Sequence, residues 1–165
     1  MEVSFVIFPC IEDVLYLRVF AKSGRLVGLS QSVRIVNTYN RHTAEGLTVP
    51  ADALFGETIE PTLVVRDLNI HMAMTDSIRD LSSSERRMGE HYMRTAALQG
   101  YTILNTPGIH TRFLDNLMTH RPSTIDYSLA NASMFSRVMR WRDLTQQTGS
   151  DHIIIVTEIH FEKLP

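Results

Sequence analysis

The sequence holds a single cysteine, Cys10, which excludes an internal disulfide and any zinc site built on thiolates. One free thiol fits an intracellular protein, nuclear or cytoplasmic, and not a secreted one. There is no excess charge of one sign: 16 Lys plus Arg stand against 18 Asp plus Glu, a net charge of −2. That excludes a nucleic-acid binder held by bulk positive charge, but not a nuclease, whose active site is itself acidic. Lysine is almost missing. Only Lys22 and Lys163 occur, so the other 14 basic residues are arginines, the type suited to bidentate phosphate contacts. No apolar run approaches the ~18 residues of a membrane span, so no membrane partner is expected. The apolar start, Met1 to Cys10, carries Glu2 and no positively charged segment, and reads as a strand and not a signal peptide. The histidines show no metal-ligand spacing, and there are no internal repeats.

What is present suits one domain. The chain is 165 residues long and 44% hydrophobic, enough for a core of its own. Strand-like runs cover Val3 to Phe8, Val14 to Ala21 and Val33 to Tyr39. Between positions 41 and 61 the glycines and prolines predict a loop with one short helix near Ala51 to Leu54. Thr62 to Val65 is short and apolar throughout, as a buried central strand is. It ends at the polar edge Arg66-Asp67-Leu68-Asn69.

The clearest helix is Ser84 to Gln99. Ser82 and Glu85 have capping-box spacing, Met88, Tyr92, Met93, Ala96 and Ala97 form an apolar stripe, and Gly100 supplies the stop. Short runs follow at Tyr101 to Asn105, Thr111 to Phe113, Thr124 to Ala130, Val138 to Asp143 and Ile153 to Ile159. Many short strands with one or two helices predict an α/β fold of two sheet layers with helices outside.

Three polar clusters stand at strand ends: Asp67-Leu-Asn69, Asp126, and Ser150-Asp151-His152. Each places charge beside a buried strand, where ionisation is costly unless a metal ion or a His–carboxylate pair compensates it. Each also has a plain structural reading: Asp-x-Asn as a turn, Asp126 as a satisfied core carboxylate, Ser-Asp-His as a chance tripeptide.

Taken in order, these clusters resemble the endonuclease/exonuclease/phosphatase superfamily. Asp67-Leu-Asn69 looks like its G-D-[FL]-N motif, Ser150-Asp151-His152 like its S-D-H motif, Asn37-Thr-Tyr39 like its N-x-Y motif and Ile125-Asp126 like its I-D motif. Leu104 to Phe113, followed by Pro122 to Asp126, is similar to the endonuclease domains of non-LTR retrotransposons, fungal ones especially.

The resemblance implies a two-sheet β-sandwich flanked by helices, a four-layer α/β/β/α architecture of the deoxyribonuclease kind. It also implies a metal-dependent phosphodiesterase acting on DNA with Mg²⁺ or Mn²⁺. His152 would be the general base, oriented by Asp126. Asp67 would position the nucleophile or assist the leaving oxygen. Asn69 and Tyr39 would donate hydrogen bonds to the phosphate oxygens, and Asp151 would sit near the metal. Ser150, Thr111 and Asn37 would support the phosphate.

Two features depart from the family pattern. Arg66 stands where the motif has Gly, and no residue ahead of Tyr39 occupies the family's metal-binding Glu motif. The expectation is therefore a single domain, residues 1–165, lacking the first strands of the family fold and incomplete at its N-terminal edge. Such an exposed edge invites self-association. The departures also raise an alternative: an inactive, repurposed fragment that binds nucleic acid or protein. His71, in the loop after Asn69, is a further site candidate and is equally explained as a solvated loop histidine. The Arg137, Arg140, Trp141, Arg142 group is a candidate for contact with a DNA backbone, and its plainer reading is an exposed strand edge with Trp141 in the core.

Overall fold

The structure is a computed structural model, which describes residues 2–7, 17–21, 33–39, 42–43, 46–47, 50–56, 58–72, 81–113, 122–144 and 150–160. For residues 2–7, 17–21, 38–39, 42–43 and 46–47 the description is of backbone alone. Cys10 lies outside the described residues. In chain order the strands are β1 (Glu2–Ile7), β2 (Leu17–Ala21), β3 (Arg34–Tyr39), β4 (His42–Thr43), β5 (Gly46–Leu47), β6 (Thr62–Asp67), β7 (Tyr101–Ile103), β8 (Asp126–Asn131), β9 (Val138–Leu144) and β10 (Ile154–His160). The helices are α1 (Ala51–Leu54), α2 (Ser83–Leu98) and α3 (Ala132–Phe135).

The apolar run Thr-Leu-Val-Val becomes β6, the strand on which the site depends. Period-two alternation gives it two buried faces. Leu63 and Val65 meet Ala130, Met134 and Ile159, with Val33 and Ile35 packed alongside. Val64 faces the other way, into a cluster with Leu54, Phe55, Leu68, Tyr92, Ala96, Tyr127 and Leu129. Each such side chain contributes about 1.5–3 kcal/mol of burial free energy.

β6 lies inside the sheet β3-β6-β8-β7, parallel to β3 and antiparallel to β8. A second sheet runs β2-β1-β10-β9, all antiparallel. Ile159 of β10 packing on Leu63 and Val65 joins the two sheets face to face, while α1 and α2 cover the opposite face of the β6 sheet. The described residues thus trace the helix–sheet–sheet order of a deoxyribonuclease-like two-sheet α/β fold. β10 is paired on both sides, by β1 and β9, so the outer strands of that sheet are β2 and β9.

Helix α2 begins as its sequence requires. The Ser82 hydroxyl accepts from the Glu85 N–H, and the Glu85 carboxylate accepts from the Ser82 N–H at 2.9 Å. Tyr92 and Ala96 of its apolar stripe are buried, whereas Ala97 is exposed. Gly100 ends the helix in the left-handed region (φ 72°). Gly89 has a different role. A Cβ there would lie 2.5 Å from the backbone oxygen of His71, so glycine lets the helix rest directly on the segment that follows the Asp67 turn. Elsewhere two buried asparagines replace strand pairing. Asn105 accepts from the Ser128 N–H and donates to the Asp126 carbonyl, each at 2.9 Å, clasping β8 just beyond β7. Asn131 accepts from the Thr62 and Met134 N–H groups, which fixes the start of β6 and caps α3.

Candidate active site

Register assembles the first half of the site. Asp67 closes β6 and stands opposite Asp126, which opens β8. On the other side Asp67 is in register with Tyr39, the last residue of β3. Residues far apart in sequence are thus abreast at one sheet end. Alternation puts Asp67 on the same face as Leu63 and Val65, and Asp126 with Ser128 and Ala130, toward the second sheet. Beyond Asp67 the chain turns sharply. Asn69 takes a left-handed conformation (φ 49°), which asparagine tolerates, and its N–H donates to Asp67 Oδ1 at 2.9 Å. Fully buried Leu68 anchors the turn, its N–H donating to the Ile125 carbonyl at 2.8 Å. Asp-x-Asn is therefore both a turn and part of the site.

The second half arrives from the other sheet. Ser150-Asp151-His152 leads into β10, and the Ser150 hydroxyl accepts from the His152 N–H at 3.1 Å. His152 Nδ1 lies 2.8 Å from Asp126 Oδ2. A carboxylate oxygen accepts from an imidazole N–H, so in the neutral ring this contact selects the tautomer with the proton on Nδ1 and the lone pair on Nε2. Segment 111–113 stitches the halves together: Arg112 exchanges backbone hydrogen bonds with Ser123 (2.9 and 3.0 Å), the Phe113 N–H donates to the Asp151 carbonyl, and the Ile153 N–H to the Thr111 carbonyl. Thr111 has no exposed surface, and its hydroxyl accepts from the N–H groups of Ile125 (3.1 Å) and Asp126 (3.0 Å), so it buttresses Asp126 from behind.

Charge is concentrated here. Burial and the neighbouring Asp126 carboxylate push Asp67 up to about 6, against the opposing pull of His152, the Asn69 N–H and Arg112. Burial by itself would lower His152, but the hydrogen bond and charge of Asp126, with Asp67 and Asp151, outweigh it and hold the imidazole above its usual value. Asp151 is held below the usual carboxylate range: burial opposes this, and the Arg112 hydrogen bond with the nearby positive charges prevails. Asp67, Asp126 and His152 each offer a ligand atom within 4.8 Å of the other two. Two carboxylates that resist joint ionisation, with oxygen donors, fit a hard divalent cation. Asp151, by contrast, already has a cation: Arg112 Nε donates to its Oδ2 at 2.8 Å.

Arg66 does not enter this site. Alternation directs it to the helix-covered face, where it is 3% exposed and opposite Tyr127. Its three guanidinium nitrogens are buried without a hydrogen-bond partner among the described residues. Burial pulls it down to about 10, against the raising influence of Tyr92 and Asp67.

Of the other sequence candidates, Asn37 is half-buried and opposite Val65, two residues before Tyr39. Tyr39 is placed by its backbone only. His71 lies against Gly89 of α2. Trp141 is half-buried on β9 and donates to the Ser128 hydroxyl at 3.2 Å, and Arg142 pairs with Glu158 at 3.1 Å, so both are tied within the fold. Sequence reasoning missed Arg112 and Asn105. Both lie in Leu104 to Phe113, the segment that carried the retrotransposon resemblance, Arg112 directly after Thr111 and Asn105 directly after Leu104.

A family model described as "Endonuclease-reverse transcriptase" matches residues 33–156. The chain belongs to this family. Its membership in the endonuclease/exonuclease/phosphatase superfamily follows, and the matched segment holds every residue of the cluster above. Among solved structures, the endonuclease domain of TRAS1, a telomere-specific non-LTR retrotransposon, is similar at 22% identity and TM-score 0.53, over 62% of this chain and 44% of that one. A 3′ phosphatase, NExo, from Neisseria, bound to product DNA hairpin, aligns at 17% identity and TM-score 0.48, over 61% of this chain and 46% of that one. This endonuclease-reverse transcriptase family member therefore spans less than half the length of either structure. No curated protein matches the sequence. Among the described residues no helix is long and apolar enough to cross a membrane.

Proposed function

We propose that the protein is a metal-dependent phosphodiesterase that nicks DNA, with His152 as general base. The observation that carries this is the Asp126–His152 pair at 2.8 Å, with Asp67 close enough to share one ligand with both. Asp126 fixes the imidazole tautomer and stabilises the imidazolium that forms. Nε2 accepts the proton of a water as its oxygen attacks phosphorus. The bond from phosphorus to the leaving oxygen breaks, and that oxygen takes up a proton. Asp67, at the strand end facing Asp126, is assigned to positioning the attacking water or assisting the leaving oxygen, whose proton comes from solvent. Asn69 and Tyr39, at the two strand ends beside Asp67, are assigned to the non-bridging oxygens.

Mg²⁺, or Mn²⁺ in its place, would be held by Asp67 and Asp126 and would supply Lewis-acid stabilisation of the phosphorane charge. Asp151, expected from the sequence beside the metal, is assigned instead to holding Arg112.

The test is nicking of supercoiled plasmid with Mg²⁺ and with EDTA, by wild type and His152→Ala. Metal-dependent nicking that His152→Ala abolishes supports the assignment. Absence of nicking, with no Mg²⁺-induced thermal shift, refutes it. That outcome would favour a second reading, a non-cutting nucleic-acid-binding module. The Arg112–Asp151 pair is the observation behind it, because it neutralises one acidic group of the site without a metal.

A further inference from the structure

Arg112 has no role in the motifs that identified the site, yet its position is unusual for an arginine of this protein. Its backbone is bound on both sides, by Ser123 and through the flanking residues by Asp151 and Ile153, so the side chain is rooted where the two halves of the site meet. Its Nε is spent on Asp151 Oδ2 at 2.8 Å, and the same carboxylate's Oδ1 lies 3.8 Å from His152 Nε2. The guanidinium is thus one carboxylate away from the nitrogen that would take the proton of the attacking water. Nε is the one guanidinium nitrogen with a partner among the described residues, and the side chain keeps 34% of its surface exposed. Asp151 is bound to the guanidinium, Asp67 is near enough to feel its charge, and Asp126 shares the cluster with Asp67, so the surrounding carboxyls repel a phosphodiester. The nearest arginine in sequence on the β6 strand, Arg66, is turned to the opposite face.

We propose that Arg112 receives a nucleic-acid phosphate at this site, its Nη groups donating to the non-bridging oxygens while Asp151 holds Nε. The assignment rests on reading the cluster as a phosphodiester site. It requires no bound metal, because the positive charge belongs to the chain. A fork fixed by one hydrogen bond loses little freedom on making the next two, and it is pre-organised for a planar, two-point contact.

The experiment is binding of a short fluorescein-labelled DNA duplex, followed by anisotropy in EDTA across a salt series. Arg112→Met should weaken binding about tenfold and lower the slope of log affinity against log salt by about one. Arg112→Lys should keep the slope, since the charge stays, and lose affinity through the lost fork. Arg112→Gln retains a donor toward Asp151 and decides the question should Arg112→Met fail to fold. Folded Met and Gln variants that bind as wild type does, with the same slope, overturn the proposal. So does a wild type that binds no duplex, or whose melting temperature responds to inorganic phosphate alone. Since the readout is binding in EDTA, a wild type that never nicks DNA but shows the Arg112 dependence refutes hydrolysis and keeps this assignment.

Discussion

Arg66 and Asp67 are adjacent on β6 and point to opposite sides of one sheet. Both are charged and neither is solvated freely, yet their surroundings differ completely. Asp67 faces the space between the sheets, where His152, the Asn69 N–H and Arg112 answer its charge. Arg66 faces the helix-covered layer, where its guanidinium has no hydrogen-bond partner among the described residues. The contrast teaches that burial alone does not mark a functional charge. What marks it is convergence: Asp67 is met by groups from three other segments of the chain, whereas Arg66 feels Tyr92 and its own neighbour Asp67 and has no hydrogen-bond partner among the described residues. Arg66 is tolerated because the rest of the helix-side core, from Leu54 to Leu129, outweighs its cost.

The contrast can be broken most forcefully on the inter-sheet side. Asp126→Asn leaves the shape of the pair but offers His152 Nδ1 an amide, which can invert the tautomer. Nicking should fall by about 10²–10⁴-fold with the melting temperature little changed. A fall of less than tenfold would show that Asp126 is only a core carboxylate.

The pH dependence should separate activity from stability. A base must be neutral, so the nicking rate should rise about tenfold per pH unit until it levels off above the raised pKa of His152. Stability should move the other way. A histidine whose folded pKa is raised contributes stability that is fully present below its unfolded value near 6.5, and this is lost as pH climbs through the folded value. Asp67, raised from 3.8 to about 6, also favours its protonated form in the fold, so stability should decline between those two pH values. Melting temperatures across pH should show this decline in wild type and lose it in Asp67→Asn.

On the helix side, Arg66→Met keeps the aliphatic stem and removes the unpartnered charge. It should stabilise the fold by about 1–3 kcal/mol in urea unfolding, with nicking unchanged. Destabilisation instead would mean that Arg66 has a partner in the native protein. Gly89→Ala tests the layer between the two regions. Its Cβ would meet the His71 carbonyl oxygen at 2.5 Å, so the backbone must shift at a cost of roughly 1–3 kcal/mol, against the modest gain in helix propensity. A neutral or stabilising result would show that α2 is free to lift from the Asp67 turn.

The amino-acid sequence by itself determined the local elements. The apolar run of β6, the Ser82–Glu85 capping box of α2 and the Gly100 stop act within a few residues, and each forms where its pattern predicts. It also determined which side chains carry chemistry at strand ends, because Asp67, Asp126 and His152 sit where apolar runs stop. Tertiary structure alone decided the rest. Register set Asp67 beside Asp126, and sheet packing brought His152 to 2.8 Å from Asp126 across 26 residues of chain. The direction of Arg66 follows from which face of β6 each neighbour covers, and the pairing of Arg112 with Asp151 spans 39 residues. Local patterns are set by backbone geometry over one turn or one pleat. A charge's partner is set by which distant segment packing delivers to it, and no spacing along the chain encodes that distance.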